Sequence, residues 1–313
     1  MSTTTTSEAA QAAVSRPAET LRHSFSAMRA SFSWFGVRRS LSPDQCQQAA
    51  AQFGAEKTYI SAGKKLIDTS HPAMRTVNQL RREIGDYWKG ASLPFPEPGV
   101  RLIRQADIEL LSERMRQFHR QLIDAVSDLE ASYFEIKQMA RERLGRLYCE
   151  ADYPASFNGL FDVTWEFPNV EPPEYLRRLQ PELYEQECSR MRSRFEEAVQ
   201  LAEQAFMEEL GGLVSHLSER LAGADDGKPK IFRDSAIENL QEFFERFGRL
   251  NIHSSEELEG LVARAQSLLS GVHPQQLRDS SNLRQQIASQ LSSVQSVLDG
   301  LMVDRPRRRI LRG

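Results

Sequence analysis

The chain has 313 residues, 40% of them hydrophobic and 27% charged, with a mean hydropathy of -0.50. That length suits about two domains or one extended architecture. Its 40 basic and 43 acidic residues leave a net charge of -3, so there is no global basic field of the kind that marks nucleic-acid binders. Apolar runs stay far below the roughly 20 residues of a membrane helix, and the composition excludes a collagen-like fibre and a wholly disordered chain.

The opening MSTTTTSEAAQAAVSRPAET is rich in Ser, Thr and Ala and lacks the apolar core of a secretory signal. It buries too little to offset its ordering entropy, so residues 1–22 are expected to form a disordered tail. Residues 23–103 read as short helices and edge strands. Ser42-Pro43-Asp44 opens one helix with a capping serine and a first-turn proline. Met74 to Trp88, carrying Val77, Leu80, Ile84 and Tyr87, is another, and the proline-rich turn Leu93 to Gly99 closes the block.

Between Gln105 and Tyr153 the only breaker is Gly145. Apolar residues recur at Ile108, Leu111, Met115, Phe118, Leu122, Val126, Leu129, Tyr133, Ile136, Ala140, Leu144 and Leu147. Steps of three and four place them in one stripe with a period near 3.5. After Pro181 a second stripe follows: Tyr184, Cys188, Met191, Phe195, Ala198, Ala202, Phe206, Leu210, Leu213, Leu217 and Leu221, with Gly211-Gly212 as its weak point. Each helix would run about 40 residues, or roughly 60 Å. The fold class expected is therefore mainly α. A long antiparallel two-helix coiled-coil hairpin spans 104–222, with a small β-sheet at one end and a flanking bundle of shorter helices. Ile123, Phe134, Met139, Val199 and Leu201 widen the stripes; either the C-terminal helices or a second copy, in a homodimeric four-helix bundle, would cover them.

The inserted segment 152–181 differs in character. Phe161, Val163, Trp165 and Phe167 share one side at period two, predicting a short strand with an aromatic face. A lone strand needs a partner, and Ala30 to Val37 and Val100 to Ile103 are the candidates. Beyond it, Ala222 to Lys230 reads as a linker. Residues 231–303 carry C-terminal helices, two of them with capping-box spacing at Ser235/Glu238 and Ser254/Glu257, and 304–313 form a basic tail.

Neither a phosphate-binding glycine loop nor a nucleophile elbow is present. No enzyme, cofactor or metal site is expected. His119 and His216 lie one on each predicted long helix, but neither has the Glu three residues before it that di-metal bundles use. Cys46, Cys149 and Cys188 form no paired motif, which suits a cytoplasmic protein; Cys149 and Cys188 are expected on helical apolar faces as small core residues. Trp34, Phe35, Trp165 and Phe167 are the candidate partner contacts, with the core of the small sheet as the competing role. Arg305, Arg307, Arg308, Arg309 and Arg312 are the candidate nucleic-acid contacts. They would pair with phosphates without reading sequence, and no aromatic residue interleaves with them as a stacking platform.

Four stretches carry a resemblance that periodicity does not supply. They are RLGRLYCEADYP (Arg143 to Pro154), FDVTWEFPNVEPP (Phe161 to Pro173), IFRDSAIENLQEF (Ile231 to Phe243) and SFSWFGVRRSLS (Ser31 to Ser42). Through them, over about residues 30–300, the chain resembles the domain-of-unknown-function 3150 family of bacterial and phage proteins. Tyr175-Leu176-Arg177 departs mildly from the phenylalanine-arginine pair usual there. The resemblance carries over no catalytic residue. It implies a mobile-element or phage-derived setting beside a MoxR-like AAA+ ATPase and a von Willebrand factor A domain protein. The expected role is a non-enzymatic helical scaffold or adaptor within such a complex, with nucleic-acid association through the arginine tail as the alternative.

Overall fold

The structure, a computed structural model, describes residues 16–222 and 234–303. Beyond Ala222 the expected linker lies outside the described residues, as does the basic tail with Arg305, Arg307, Arg308, Arg309 and Arg312. The chain is mainly helical with a small antiparallel sheet. In order come α1 (16–24), β1 (Phe25–Ser33), β2 (Arg38–Ser40), α2 (Pro43–Gln52), β3 (Gly63–Lys65), α3 (Pro72–Gly90), β4 (Leu93–Pro94), β5 (Val100–Arg104), α4 (Ile108–Ala131), α5 (Tyr133–Leu144) and β6 (Asp162–Glu166). Then follow α6 (Glu174–Leu179), α7 (Pro181–Ala222), α8 (Ser235–Leu250), α9 (Glu256–Leu269), α10 (Pro274–Asp279) and α11 (Ser281–Val303). No helix among the described residues is long and apolar enough to cross a membrane.

Two compact units divide the chain. Among the described residues, one comprises 16–28, 90–106, 167–222 and 234–303, the other 29–89 and 107–166. These boundaries cut across the segments 23–103 and 104–222 expected from the sequence, because the chain leaves and re-enters each unit. Residues 16–22 are helical rather than disordered. Pro17 sits in the first turn, where its missing N–H costs nothing, and Ala18 and Leu21 are buried.

The first unit is built on α7. Its stripe from Met191 through Phe195, Ala198, Ala202, Phe206 and Leu210 to Leu217 and Leu221 is buried, and Val199, Met207 and Val214 widen it. A helix with so broad an apolar face needs several neighbours. Its most extensive one is α11, which contributes Ile287, Leu291, Val294 and Leu298 at helical spacing. Ser218 Oγ donates to the Ala288 carbonyl at 3.4 Å, while Gly211 faces Gln295 and Met302. Going seven residues back on one helix moves forward on the other, so the pair is antiparallel. Gly211-Gly212 does not interrupt the helix; it lies where α11 approaches. On another side α8 supplies the rings: Phe206 lies 5.0 Å from Phe247, and Phe243 stacks on Phe247.

In the second unit β1 and β6 pair antiparallel, Ala30 opposite Trp165 and Phe32 opposite Val163. Of the two candidate partners, the Ala30 segment is thus the one hydrogen-bonded to the predicted strand. Leu111, Met115, Phe118, Leu122, Val126 and Leu129 on α4 are buried, and the stripe continues through Tyr133, Ile136 and Ala140 on α5. On α3, Met74, Val77, Leu80, Ile84 and Trp88 are buried, with Tyr87 5.6 Å from Phe118.

The expected long hairpin of two 40-residue rods is not confirmed. The second rod runs unbroken as α7, and the first does not. The first rod bends at Ser132, whose hydroxyl donates to the Asp128 carbonyl four residues back and competes with the helical ladder. It ends at Leu144, where Gly145 adopts φ 49, so Leu147 falls in a 3-10 turn. Cys149 is exposed and outside any α-helix, and Cys188 is half-buried; the core role expected for Cys149 does not hold. Ser42 caps α2 with a complete capping box through Gln45. Helix α8 instead starts after Asp234 without a side-chain cap, and α9 is capped by Ser255, one residue later than the spacing suggested.

Candidate functional site

Trp34 and Phe35 are spent on internal packing in the second unit. Phe157, fully buried, is ringed by Phe35 at 5.7 Å, Tyr133 at 4.3 Å and Phe161 at 5.7 Å. Trp34 meets Phe161 edge-on at 5.4 Å, donates from its indole to Asn78 Oδ1 and carries Arg81 over its face. Trp165 is half-buried on β6, and Phe167, just past that strand and in the other unit, is exposed. The four residues therefore do not form one exposed patch. His119 reaches Asp162 Oδ1 at 3.1 Å, within the second unit. His216 lies on α7 in the first unit. No group of three His, Cys, Asp or Glu among the described residues is arranged to hold a metal ion.

A different surface stands out where α6 meets α7. Here the chain leaves the sheet through Pro172 and Pro173, which exclude backbone donors and set the start of α6 at Glu174. Gln180, at φ -146 and ψ 80, breaks the helix, and Pro181 restarts it as α7. Gln180 closes α6 by donating to the Leu176 carbonyl at 2.8 Å and opens α7 by accepting from the Tyr184 N–H at 3.1 Å. Tyr175, Leu179 and Leu183 fall at a spacing of four and are 62%, 73% and 36% exposed.

The surroundings are anchored. Arg22 holds Glu171 through two hydrogen bonds of 2.8 and 2.7 Å, and that contact, its largest influence, raises the guanidinium pKa further. A hydrogen bond with the Cys188 thiol raises the Tyr184 phenol. Arg177 pairs with Glu174 at 3.3 Å, Arg178 is exposed, and Glu182 and Glu185 follow on the exposed side of α7. Large apolar side chains exposed together among charged neighbours suit an apolar groove on another protein. The spacing 175-179-183 was present in the sequence. It sits one position away from the stripe that begins at Tyr184, which drew it into the core pattern.

Comparison of the chain with protein-family models, with curated proteins and with solved structures finds no match.

Proposed function

We propose that the protein is a non-enzymatic helical adaptor and that the Tyr175–Leu179–Leu183 ridge is its partner-binding element. One observation carries this reading: three large apolar side chains, Tyr175 and Leu179 on α6 and Leu183 on α7, stand exposed around one helix junction, just after the Arg22–Glu171 pair. Such exposure does nothing for the fold, whereas burial in a partner would remove each side chain from water, a gain of about 1.5–3 kcal/mol apiece before the costs of association. The partners suggested by the resemblance are a MoxR-like AAA+ ATPase and a von Willebrand factor A domain protein, in a complex derived from a mobile element. Co-expression of the chain with such an ATPase tests the reading. Tagged wild type should retain the ATPase through purification, and the Tyr175→Asp/Leu179→Asp variant should not. Equal retention by both, or by neither, rejects it.

A further inference from the structure

Strands β2 and β3 pair as a short antiparallel ribbon with Arg38 opposite Lys65 and Arg39 opposite Lys64. Directly opposed residues share a face, and successive residues alternate faces, so the ribbon presents one like-charged pair on each side. On the first side the repulsion is resolved internally. Asp152 lies 3.3 Å from Arg39 and 2.5 Å from Lys64. On the other side, among the described residues, no carboxylate lies within ion-pair distance of Arg38, and Lys65 has only Asp68, at 3.6 Å and beyond hydrogen-bond reach.

That second side opens on a pocket of about 240 Å³ between the β3 turn and α5. Its floor is apolar: Leu66, Ile136 and Ala140 are buried, with Met139 and Leu144 half-buried beside them. Its rim is polar, formed by Lys65, Asp68, His71 and Arg143. Asp68 accepts from the Ser70 N–H at 3.0 Å, from the Ser70 hydroxyl at 2.7 Å and from Arg143, and these bonds hold its carboxyl far below the usual range. His71 Nδ1 is buried without a hydrogen-bond partner among the described residues. Two cations, Lys65 and Arg143, thus face one anion, Asp68, leaving a single unit of excess positive charge above an apolar floor.

We propose that this pocket binds a small amphipathic carboxylate, its charged end on Lys65 and Arg143 and its short apolar tail over Leu66, Ile136 and Ala140. One unit of excess charge suits a monoanion better than a phosphate dianion, and the volume lies below that of sites for drug-sized ligands. This assignment is independent of the ridge and lies within a single unit.

Titration calorimetry on the full chain with hexanoate tests it, using acetate and hexanol as the charge-only and tail-only controls. Hexanoate should bind saturably at one site and at least tenfold more tightly than either control. Lys65→Glu should weaken it by tenfold or more. Met139→Trp, which fills the floor, should abolish binding while the circular dichroism spectrum stays unchanged. Absence of saturable binding overturns the proposal, as does hexanoate affinity that Lys65→Glu leaves intact, or equal affinity for hexanol.

Discussion

Asp152 Oδ2 lies 2.5 Å from the Lys64 ammonium, and the two side chains are only 13% and 6% exposed. The contact is ionic rather than an aligned hydrogen bond, and Lys64 also donates to the Leu147 carbonyl at 2.7 Å. This pair fastens the β2–β3 ribbon to the segment after α5. A buried pair is not itself a large source of stability, but removing one partner strands the other. Asp152→Asn leaves two cations facing each other and should destabilise the second unit by about 3 kcal/mol. Lys64→Met leaves Asp152 with Arg39 and should cost less. In chemical denaturation the double variant should cost less than the sum of the two single ones; strict additivity would show that the pair is not coupled.

Alkaline pH should weaken the same unit. Tyr133 donates to the Pro154 carbonyl at 2.6 Å and Tyr153 to the Leu66 carbonyl at 3.0 Å. Burial, the largest cause in each case, pushes both phenols up to about 12. In the unfolded chain they titrate near about 10, so between these values the folded state holds protons that the unfolded state has lost. Their contribution is complete below about pH 10 and falls as pH rises toward about 12. Denaturation midpoints measured across that window should decline in wild type and decline less in Tyr133→Phe/Tyr153→Phe. Identical slopes would contradict the assignment.

The paired glycines of α7 should respond alike to a small side chain and differently to a large one. Nothing lies within 4 Å of a Cβ built at Gly212, and one at Gly211 would meet Met302 Cε at 3.8 Å, an ordinary contact. Alanine at either position should therefore stabilise by about 1 kcal/mol through helix propensity. Gly211→Phe should drive α11 away and cost about 1–3 kcal/mol, whereas Gly212→Phe, on the exposed side, should be close to neutral. Thermal melts of the four variants check the pattern. Equal loss from both phenylalanines would mean that α11 does not pack at Gly211.

These elements show which parts of the molecule were legible in the sequence. The α7 stripe was plain because Met191 to Leu221 keep helical spacing over eight turns, and Phe161 to Phe167 announced a strand by strict alternation. The partner of α7 was hidden, since Leu291, Val294 and Leu298 have the same spacing as any amphipathic helix and nothing local ties them to Leu210. The bend at Ser132 was hidden because the apolar period continues through it, while the cause is one hydroxyl bonding back to Asp128. The ribbon left no period at all. Arg38–Ser40 and Gly63–Lys65 are three residues each, with α2 between them, and only their pairing converts two dibasic dipeptides into opposed charge pairs. The pocket beside them inherits that invisibility.

The adaptor reading stands or falls on the ridge. Isothermal titration of purified chain into a purified MoxR-like ATPase, for wild type and for Leu179→Asp, measures it most directly. Wild type should bind saturably and Leu179→Asp should bind at least tenfold more weakly, with an unchanged melting temperature because Leu179 is 73% exposed. Undiminished affinity in Leu179→Asp, or none in wild type, would contradict it.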